Sequence, residues 1–474
     1  MSIYIDKWRS LYNAVPGSRA ETAGQRFCDR PKTPLKLWEN GHRDTLEGLL
    51  TDRSDAYEPL STDTIPARLG GIRAITDRLG KDVSKWSADE VGDGNLNLVF
   101  IVKSPQSALI VKQALPYVRL VGDSWPLPLK RAYFEYHALT RQAGRAPGMV
   151  PEIYHFDEEQ ALIVMEFFSP HVILRNFLIA GNRNEGMAER MGLFTARTLF
   201  RGSDLSMDTS KRKADLALFA GNAELCDITE NLVFSDPYFD AEMNEYNTPQ
   251  LDSIVARLRA DIDLKVEVQH LKARFCNNAE TMLHGDLHTG SIMVTAHETK
   301  VIDPEFVTYG PIGFDVGMML SNFLMAYFSQ PGHAETAGSR GDYQGWILGV
   351  VDEIWATFSA EFSRLWRKER TGILYQKSLY EDQGHDLASE QALGHRLNDI
   401  WQDTLGFAGV EMHRRILGLA HNADFETIEN EDLRAVCETK ALELGRQLVV
   451  NRRQFAGMEP VLDLTRLIEK GKSA

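Results

Sequence analysis

One short stretch of the 474-residue chain limits its possible folds and chemistries more than any other feature. It is Leu283-His284-Gly285-Asp286-Leu287-His288, in which an acidic side chain follows a glycine. A carboxylate at Asp286 can accept the proton of a hydroxyl group and direct that oxygen at a phosphoryl group. Gly285 would allow an unusual backbone angle beside the carboxylate, and His284 would support the loop. A capped helix start is an alternative. A metal pair at His284 and His288 is another, although a zinc motif of the HExxH kind needs a glutamate where Gly285 stands.

A second acidic motif, Asp303-Pro304-Glu305, begins seventeen residues after Asp286. It directly follows the apolar pair Val301-Ile302, which predicts that it ends a short strand. Carboxylates at positions i and i+2 of an extended segment project in the same direction. The two carboxylates of this motif can therefore hold Mg²⁺ between phosphates. Asp315, a little further on, is expected to tie this region to the helices rather than to take part in the chemistry.

A glycine-containing turn precedes the first predicted strand, at Gly92-Asp93-Gly94-Asn95. Glycines let the backbone approach a phosphate closely and expose N–H groups to it, although such a turn alone is an ordinary hairpin. Lys112 lies near the end of the next predicted strand, where a kinase needs a cation for the α- and β-phosphates. Glu135, on the following helix, is placed to pair with Lys112. The order of turn, strand, strand, lysine, helix and glutamate favours nucleotide binding.

The hydrophobic pattern divides the chain into a strand-rich part and a helical part. Apolar and β-branched runs predict strands over 96–102, 108–112, 153–156 and 161–166, with one helix over 130–141. Beyond residue 169 helices are predicted over 188–200, 251–273, 346–366, 390–418 and 432–449, with strand pieces at 292–294 and 300–302. The pattern predicts an α+β protein with an N-terminal extension (1–55), a small β-rich lobe and hinge (56–168) and a larger helical lobe (169–474).

Charge and cysteine content exclude several classes of function. The net charge of −15, from 52 basic and 67 acidic residues, disfavours non-specific nucleic-acid binding, which relies on basic surface. An anionic nucleotide remains compatible, because a few cations neutralise it locally. The four cysteines are far apart and form no metal spacing, which indicates reduced thiols. With no secretory signal and no apolar stretch of membrane-spanning length, we expect a cytoplasmic protein that binds neither nucleic acid nor membrane.

Taken together, these segments resemble the methylthioribose kinase family, within the aminoglycoside and choline kinase group of the protein-kinase-like fold. The resemblance rests on residues 91–100, 111–119, 122–126, 284–292, 302–305 and 413–416, and it runs from about Tyr57 to the C-terminal helices. It implies a bilobal protein-kinase-like fold with a small antiparallel β lobe and a mainly helical C-terminal lobe. It also implies that ATP phosphorylates the anomeric hydroxyl of 5-methylthioribose, a reaction of methionine salvage, and that the enzyme is a homodimer.

The resemblance also implies roles for individual residues. Asp286 would bind the sugar and act as the catalytic base, Arg414 and Arg415 would reach into the sugar site, and a loop at Trp125 would close over the nucleotide. Mg²⁺ would be held by Asp303 and Glu305. The residues expected to bind ATP are Gly92, Asp93, Gly94, Asn95, Lys112, Glu135, Glu166, Phe167, Phe168, Asp303, Pro304 and Glu305.

Two departures from the wider group bear on these roles. General relatives carry asparagine, a second metal ligand, five residues after the HGD aspartate, and this chain has Ser291, as the narrower family does. Glu305 would then supply the missing ligand. Residues 1–55 lie outside the resemblance and have no assigned role.

A kinase for another small alcohol, of the aminoglycoside, choline or homoserine type, is an alternative function. A nucleotide-binding scaffold without catalysis is a second alternative, which a base at Asp286 argues against.

Overall fold

The computed structural model describes residues 57–91, 96–118 and 122–471, which form two compact units. Residues 57–133 and 153–167 make up the sheet unit, and residues 134–152 and 168–471 make up the helical unit. The extension predicted over 1–55 and the turn at 92–95 lie outside the described residues. The antiparallel sheet and the larger helical part confirm the predicted fold class. The predicted domain limits remain a prediction.

The sheet unit consists of two short helices followed by antiparallel strands. The main sheet has the order β1-β2-β3-β7-β6, and β4 pairs with β5 in a separate hairpin. The elements are α1 (Ile65–Leu69), α2 (Arg73–Leu79), β1 (Ser87–Glu90), β2 (Asn97–Lys103), β3 (Ala108–Ala114), β4 (Tyr117–Val118), β5 (Gly122–Pro126), β6 (Ile153–Asp157) and β7 (Leu162–Glu166).

Strand β2 lies inside the sheet, and both of its faces are buried because each packs in an apolar cluster. Leu98, Phe100 and Val102 point to one side, where they join the core formed with α1 and α2. The two helices supply apolar residues four positions apart, Ile65 with Leu69 and Ile75 with Leu79, so each presents one face to the sheet. Burying each such side chain contributes about 1.5–3 kcal/mol, which stabilises the helices against the strands.

The opposite face of the sheet carries Lys112. Lys112 lies directly across from Val99 in the β2–β3 register, and cross-strand partners share a face. Val99 belongs to a second apolar cluster, against which Phe167 packs. Lys112 is 6% exposed. The sheet unit therefore brings two of the predicted ATP-binding residues, Lys112 and Phe167, to one face.

The helical unit has a few short strands at one side and long helices around a buried core. Its first part contains α3 (Arg131–Arg145, of which residues 134–145 belong to this unit), β8 (Val172–Ile173), α4 (Leu174–Ile179), α5 (Met187–Arg201), α6 (Thr209–Phe219), α7 (Ala223–Leu232), α8 (Asp252–Ala260), α9 (Ile262–Asn277), β9 (Thr281–Met282), β10 (Ile292–Val294), β11 (Thr299–Val301) and β12 (Tyr309–Gly310). Its second part contains α10 (Gly313–Ser329), α11 (Gly341–Glu369), α12 (Asp386–Leu417), α13 (Ala423–Glu426), α14 (Glu431–Val450) and α15 (Met458–Glu469).

Helix α10 is the centre of this unit, since every one of its residues is buried. It packs against α11, α12 and α14. Its sequence is apolar on nearly all sides, so it has no polar stripe and does not show the pattern that predicts a helix. The close crossing of α12 and α14 depends on glycine, because a Cβ on Gly409 would lie 2.4 Å from the carbonyl oxygen of Gly445. This crossing fixes the C-terminal half of α12, where the two predicted sugar-site arginines lie.

One predicted helix is wrong in its continuity. The segment 251–273 was predicted as one helix, whereas the structure has α8 and α9 separated at Asp261. Asp261 has an extended backbone, and its side chain accepts a hydrogen bond from the backbone N–H of Leu264 at 2.9 Å. It is therefore the N-cap of α9, because a short acidic side chain satisfies an otherwise unpaired N–H at a helix start.

Candidate active site

The loop that contains His284-Gly285-Asp286, here called the HGD loop, follows β9. It turns sharply at Gly285, which has φ of +86°. A side chain there would be strained by this left-handed backbone, and a Cβ would lie 2.0 Å from the carbonyl oxygen of Phe306. The sequence expectation of an unusual backbone angle at Gly285 is therefore confirmed. The close approach also brings the HGD loop against the segment that follows Glu305.

His284 connects the two acidic motifs. Its Nε2 lies 3.0 Å from the carbonyl oxygen of Ile302, and its Nδ1 accepts the backbone N–H of Asp286 at 3.3 Å. These contacts require the proton on Nε2, which then donates to Ile302. Ile302 directly precedes Asp303. One imidazole ring thus connects the HGD loop to the segment Asp303-Pro304-Glu305, here called the acidic turn.

Asp315, in the first turn of α10, binds the backbone of the same loop. Its carboxylate accepts the backbone N–H of His284 at 2.6 Å and that of Gly285 at 3.0 Å. Burial raises the pKa of Asp315, while His284 and the hydrogen bonds from the loop oppose the shift. Both oxygens face the loop backbone, so Asp315 is a structural residue and the expected tie to the helices is confirmed.

The Asp286 carboxylate receives hydrogen bonds from two arginines at the end of α12. Arg415 Nη2 donates to Asp286 Oδ1 at 2.8 Å, and Arg414 Nη1 lies 3.4 Å from the same oxygen. Glu411 accepts from both guanidinium groups, from Arg415 Nε at 2.5 Å and from Arg414 Nη1 at 3.0 Å. Because these residues are spaced by three and four positions on one helix, they lie on the same face. Two carboxylates and two guanidinium groups thus form one buried charge cluster.

This cluster keeps Asp286 ionised. Burial alone would raise the pKa of Asp286, but His288 and the charges of Arg415 and Arg414 outweigh it and hold the pKa well below the usual range. Burial lowers the pKa of His288 to about 4, so its ring is neutral at pH 7. At neutral pH, therefore, the two arginines provide the stabilising charge. A carboxylate with a low pKa can accept a hydrogen bond from a hydroxyl group, but it takes the proton only when that oxygen becomes strongly acidic.

Removing the charge of Glu411 is expected to destabilise the helical unit. Glu411→Gln leaves two buried guanidinium groups with Asp286 as their shared carboxylate, and breaking a buried ion pair by removing one partner typically costs about 3 kcal/mol or more. Urea unfolding would measure this loss. Glu361→Gln is the matched control, because Glu361 also binds two arginines but these are 33% and 44% exposed. The control should lose less than about 1 kcal/mol. Equal losses in the two variants would contradict the importance of burial.

His288 and Ser291 complete the support of Asp286. His288 Nε2 lies 3.4 Å from Asp286 Oδ2, and His288 Nδ1 accepts the backbone N–H of Gly290 at 2.9 Å. The Ser291 hydroxyl donates to the backbone carbonyl of Asp286 at 3.1 Å. Ser291 thus braces the backbone of the loop.

The acidic turn has its own unusual backbone. Asp303 has φ of +69°, a left-handed conformation that aspartate adopts more readily than most residues. Among the described residues, the carboxylates of Glu135, Asp303 and Glu305 bring oxygen atoms within 4.8 Å of one another. Hard oxygen donors at this separation fit Mg²⁺, which commonly uses one or two carboxylates together with phosphate oxygens and water. The structure thus places Glu135, from α3, beside the acidic turn, an arrangement that the sequence pattern did not reveal.

The remaining predicted ATP-binding residues are distributed over both units. Lys112, Glu166 and Phe167 belong to the sheet unit, and Phe168 and Glu135 belong to the helical unit. Pairing of Lys112 with Glu135 stays a prediction. Gly92, Asp93, Gly94 and Asn95 lie outside the described residues. Trp125 lies in β5, and the closure predicted for its loop also stays a prediction.

Within the described ranges, every helix is too short or too polar to cross a membrane.

Comparison with known proteins gives consistent matches along the chain. Residues 87–354 match the model of the phosphotransferase enzyme family (APH). The chain is 44% identical over 407 residues to the methylthioribose kinase of Escherichia coli O45:K1, covering 86% of this chain and 97% of that protein. It is 43% identical over 409 residues to methylthioribose kinase 1 of Oryza sativa subsp. japonica, covering 86% and 94%. Among solved structures, it is similar to an ethanolamine kinase of Plasmodium vivax with a TM-score of 0.43 and 12% identity, covering 89% of this chain and 99% of that one.

Proposed function

Because the chain belongs to the methylthioribose kinases, within the phosphotransferase enzyme family, we propose that it phosphorylates 5-methylthioribose with ATP. The products are ADP and 5-methylthioribose 1-phosphate, as methionine salvage requires. The observation that carries the proposal is the Asp286 carboxylate, buried and held by two arginines beside the acidic turn. A nucleotide-binding scaffold needs no such group, which sets that alternative aside.

The proposed chemistry uses Asp286 mainly to orient the sugar. The carboxylate accepts a hydrogen bond from the anomeric hydroxyl and directs its oxygen at the γ-phosphorus of ATP. The bond from that phosphorus to the β–γ bridging oxygen breaks as the new bond to the sugar oxygen forms. In the loose transition state the sugar hydroxyl becomes acidic late, and the proton then passes to Asp286. The low pKa of Asp286 suits this late transfer.

Arg414 and Arg415 favour a neutral polyol as the acceptor. Their charges border the carboxylate that would receive the hydroxyl. A cationic acceptor such as choline or an aminoglycoside would meet these guanidinium groups, and like charges in a buried site repel strongly. A sugar hydroxyl can instead accept hydrogen bonds from them.

We propose that Asp303 and Glu305 hold Mg²⁺ and that Glu135 lies beside it. Bound Mg²⁺ would neutralise charge on the transferring phosphates. In the sheet unit, the face that bears Lys112 and Phe167 would receive ATP, with Lys112 on the phosphates. Pro304 keeps the turn between the two carboxylates rigid.

Glu305→Gln is expected to raise the Mg²⁺ concentration needed for half-maximal activity. The amide offers the metal one neutral oxygen in place of the charged carboxylate. Substitution of residues that only support metal ligands already lowers metal affinity by about 10- to 100-fold, so loss of a ligand should have at least this effect. A magnesium titration of ADP release measures the shift. Glu335→Gln, at an exposed carboxyl, is the control and should leave the titration unchanged. If both variants titrate like the unmodified enzyme, Glu305 is not in the metal site.

A coupled ADP-release assay with methylthioribose, ribose, choline and kanamycin tests the proposed acceptor. Turnover of methylthioribose well above the others is the expected result. Turnover of choline or kanamycin without methylthioribose would overturn the proposal in favour of another small-alcohol kinase. A homodimer and a cytoplasmic location are part of the same proposal. Light scattering coupled to size exclusion tests the first, and cell fractionation tests the second.

A further inference from the structure

A second buried ion pair lies close to the HGD loop. Asp424, in α13, and Arg175, in α4, both have no exposed side-chain surface. Arg175 Nε lies 3.0 Å from Asp424 Oδ2, but its hydrogen bond goes to the Thr289 hydroxyl at 3.1 Å. Arg175 Nη2 donates to Asn322 Oδ1 at 2.8 Å. Thr289 is three residues beyond Asp286, so this pair is anchored directly to the loop that carries the base.

Among the described residues, atoms of two charged side chains in this region lack a hydrogen-bond partner. In the part of the chain that the structure describes, neither carboxylate oxygen of Asp424 accepts a hydrogen bond from another residue, and Nη1 of Arg415 donates none. Buried polar atoms in folded proteins are nearly always paired with protein, water or ligand. A buried acceptor and a buried donor that both lack a hydrogen-bond partner beside the candidate active site therefore indicate a group that supplies both kinds of hydrogen bond.

Arg415 connects the unpaired atoms to the site of chemistry. Its Nη2 binds Asp286 at 2.8 Å, while its Nη1 is unpaired. Its positive charge lowers the pKa of Asp424 as well as that of Asp286, although burial raises the pKa of Asp424 to about 6. One guanidinium group thus acts on both carboxylates. In its ionised form, which Arg175 and Arg415 favour, Asp424 can accept two hydrogen bonds.

The acceptor sugar has the matching chemistry. With the anomeric hydroxyl of 5-methylthioribose at Asp286, the hydroxyls at C2 and C3 are its remaining hydroxyl groups. Each hydroxyl can donate one hydrogen bond and accept others, which suits a carboxylate facing a guanidinium group. Asp286 is only 7% exposed, so a sugar bound to it leaves water and needs such partners. A phosphate would be repelled by Asp424, and an ammonium group by Arg175 and Arg415.

We propose that Asp424, together with Nη1 of Arg415, binds the C2 and C3 hydroxyls of the sugar and so determines specificity for a ribose-type diol. This inference rests on the proposed function. It assigns the sugar two contact points, Asp286 for the reacting hydroxyl and Asp424 for the neighbouring pair. A buried water bridging Asp424 and Arg415 is the competing occupant.

Kinetics of Asp424→Asn test the inference with methylthioribose and its 2-deoxy and 3-deoxy analogues. Loss of a hydrogen bond to a charged group corresponds to about 10- to 100-fold in affinity. We expect Asp424→Asn to raise KM for methylthioribose by about this factor with a much smaller change in kcat. We also expect the unmodified enzyme to discriminate against at least one deoxy analogue by about the same factor, and the variant to lose most of that discrimination. Asp403→Asn, at another buried carboxylate of the helical unit, is the matched control and should change neither quantity.

The outcomes separate the inference from the proposed function. No turnover of methylthioribose by the unmodified enzyme overturns the proposed function and the inference with it. Normal turnover with unchanged discrimination in Asp424→Asn overturns the inference alone and indicates a structural water or ion pair. If Asp424→Asn does not fold, the same kinetics are measured with Asp424→Ser. The deoxy analogues are also tested with the unmodified enzyme, which needs no variant. Equal kcat/KM for the parent and both deoxy sugars would then refute a diol contact.

Discussion

Asp286→Asn is expected to abolish phosphoryl transfer while leaving ATP binding largely intact. The amide can no longer accept the proton of the anomeric hydroxyl, and its NH₂ group can face Arg415 only as a second donor. Loss of a positioned general base lowers kcat by about 10²–10⁴-fold. ADP release measures the activity, and a fluorescent ATP analogue measures nucleotide binding.

Asp215→Asn is a suitable control for this variant. Asp215 is also a buried carboxylate of the helical unit and accepts hydrogen bonds from two arginines, Arg141 and Arg145. It should lower the melting temperature without a comparable loss of kcat. If Asp286→Asn retained normal turnover, Asp286 would not be the base. If both variants lost activity only in proportion to folded protein, the effect would be structural.

Gly285→Ala is the second substitution with a large expected effect. A left-handed backbone costs alanine about 1–2 kcal/mol, and the added Cβ would also meet the carbonyl oxygen of Phe306 at 2.0 Å. Because that oxygen is backbone, the HGD loop must move away from the acidic turn. Displacement of about 1 Å at a reacting group can cost about 10²-fold in rate, so we expect a fall in kcat at least as large as that in stability.

Gly345→Ala supplies the contrasting result. Gly345 lies within α11, and a Cβ there would meet no atom within 4 Å. Alanine at an exposed helix position is favoured over glycine by about 1 kcal/mol, so this variant should melt slightly higher and remain fully active. Thermal unfolding and ADP release together distinguish the two positions. A fully active Gly285→Ala enzyme would show that the loop tolerates movement relative to the acidic turn.

The sequence predicted best those parts of the site that are local. The HGD loop and the acidic turn are each short, and glycine, proline and carboxylate chemistry constrain them within a few residues. Glu411 was missed, although its spacing of three and four from Arg414 and Arg415 on a predicted helix was a usable signal. Arg175 and Asp424 meet only through helix packing, and no pattern in the sequence connects two residues so far apart.

The same contrast holds for the fold. Strands β2 and β3 were predicted because a buried strand is a short β-branched run bounded by turn residues. Helix α10 was missed because complete burial removes the polar stripe by which a helix is recognised. The break at Asp261 was missed because the helical pattern continues on both sides of it. The only local signal of the N-cap is a single acidic residue, which is also common within helices.

The loop of Asp286 is held by Asp315, and its carboxylate is held by Arg414 and Arg415. These two supports come from different parts of the chain. Asp315, in α10, lies within the stretch 87–354 that matches the model of the phosphotransferase enzyme family, whereas the arginines of α12 lie beyond it. The residues that support Asp286 and its loop are thus divided between the matched stretch and the segment that follows it.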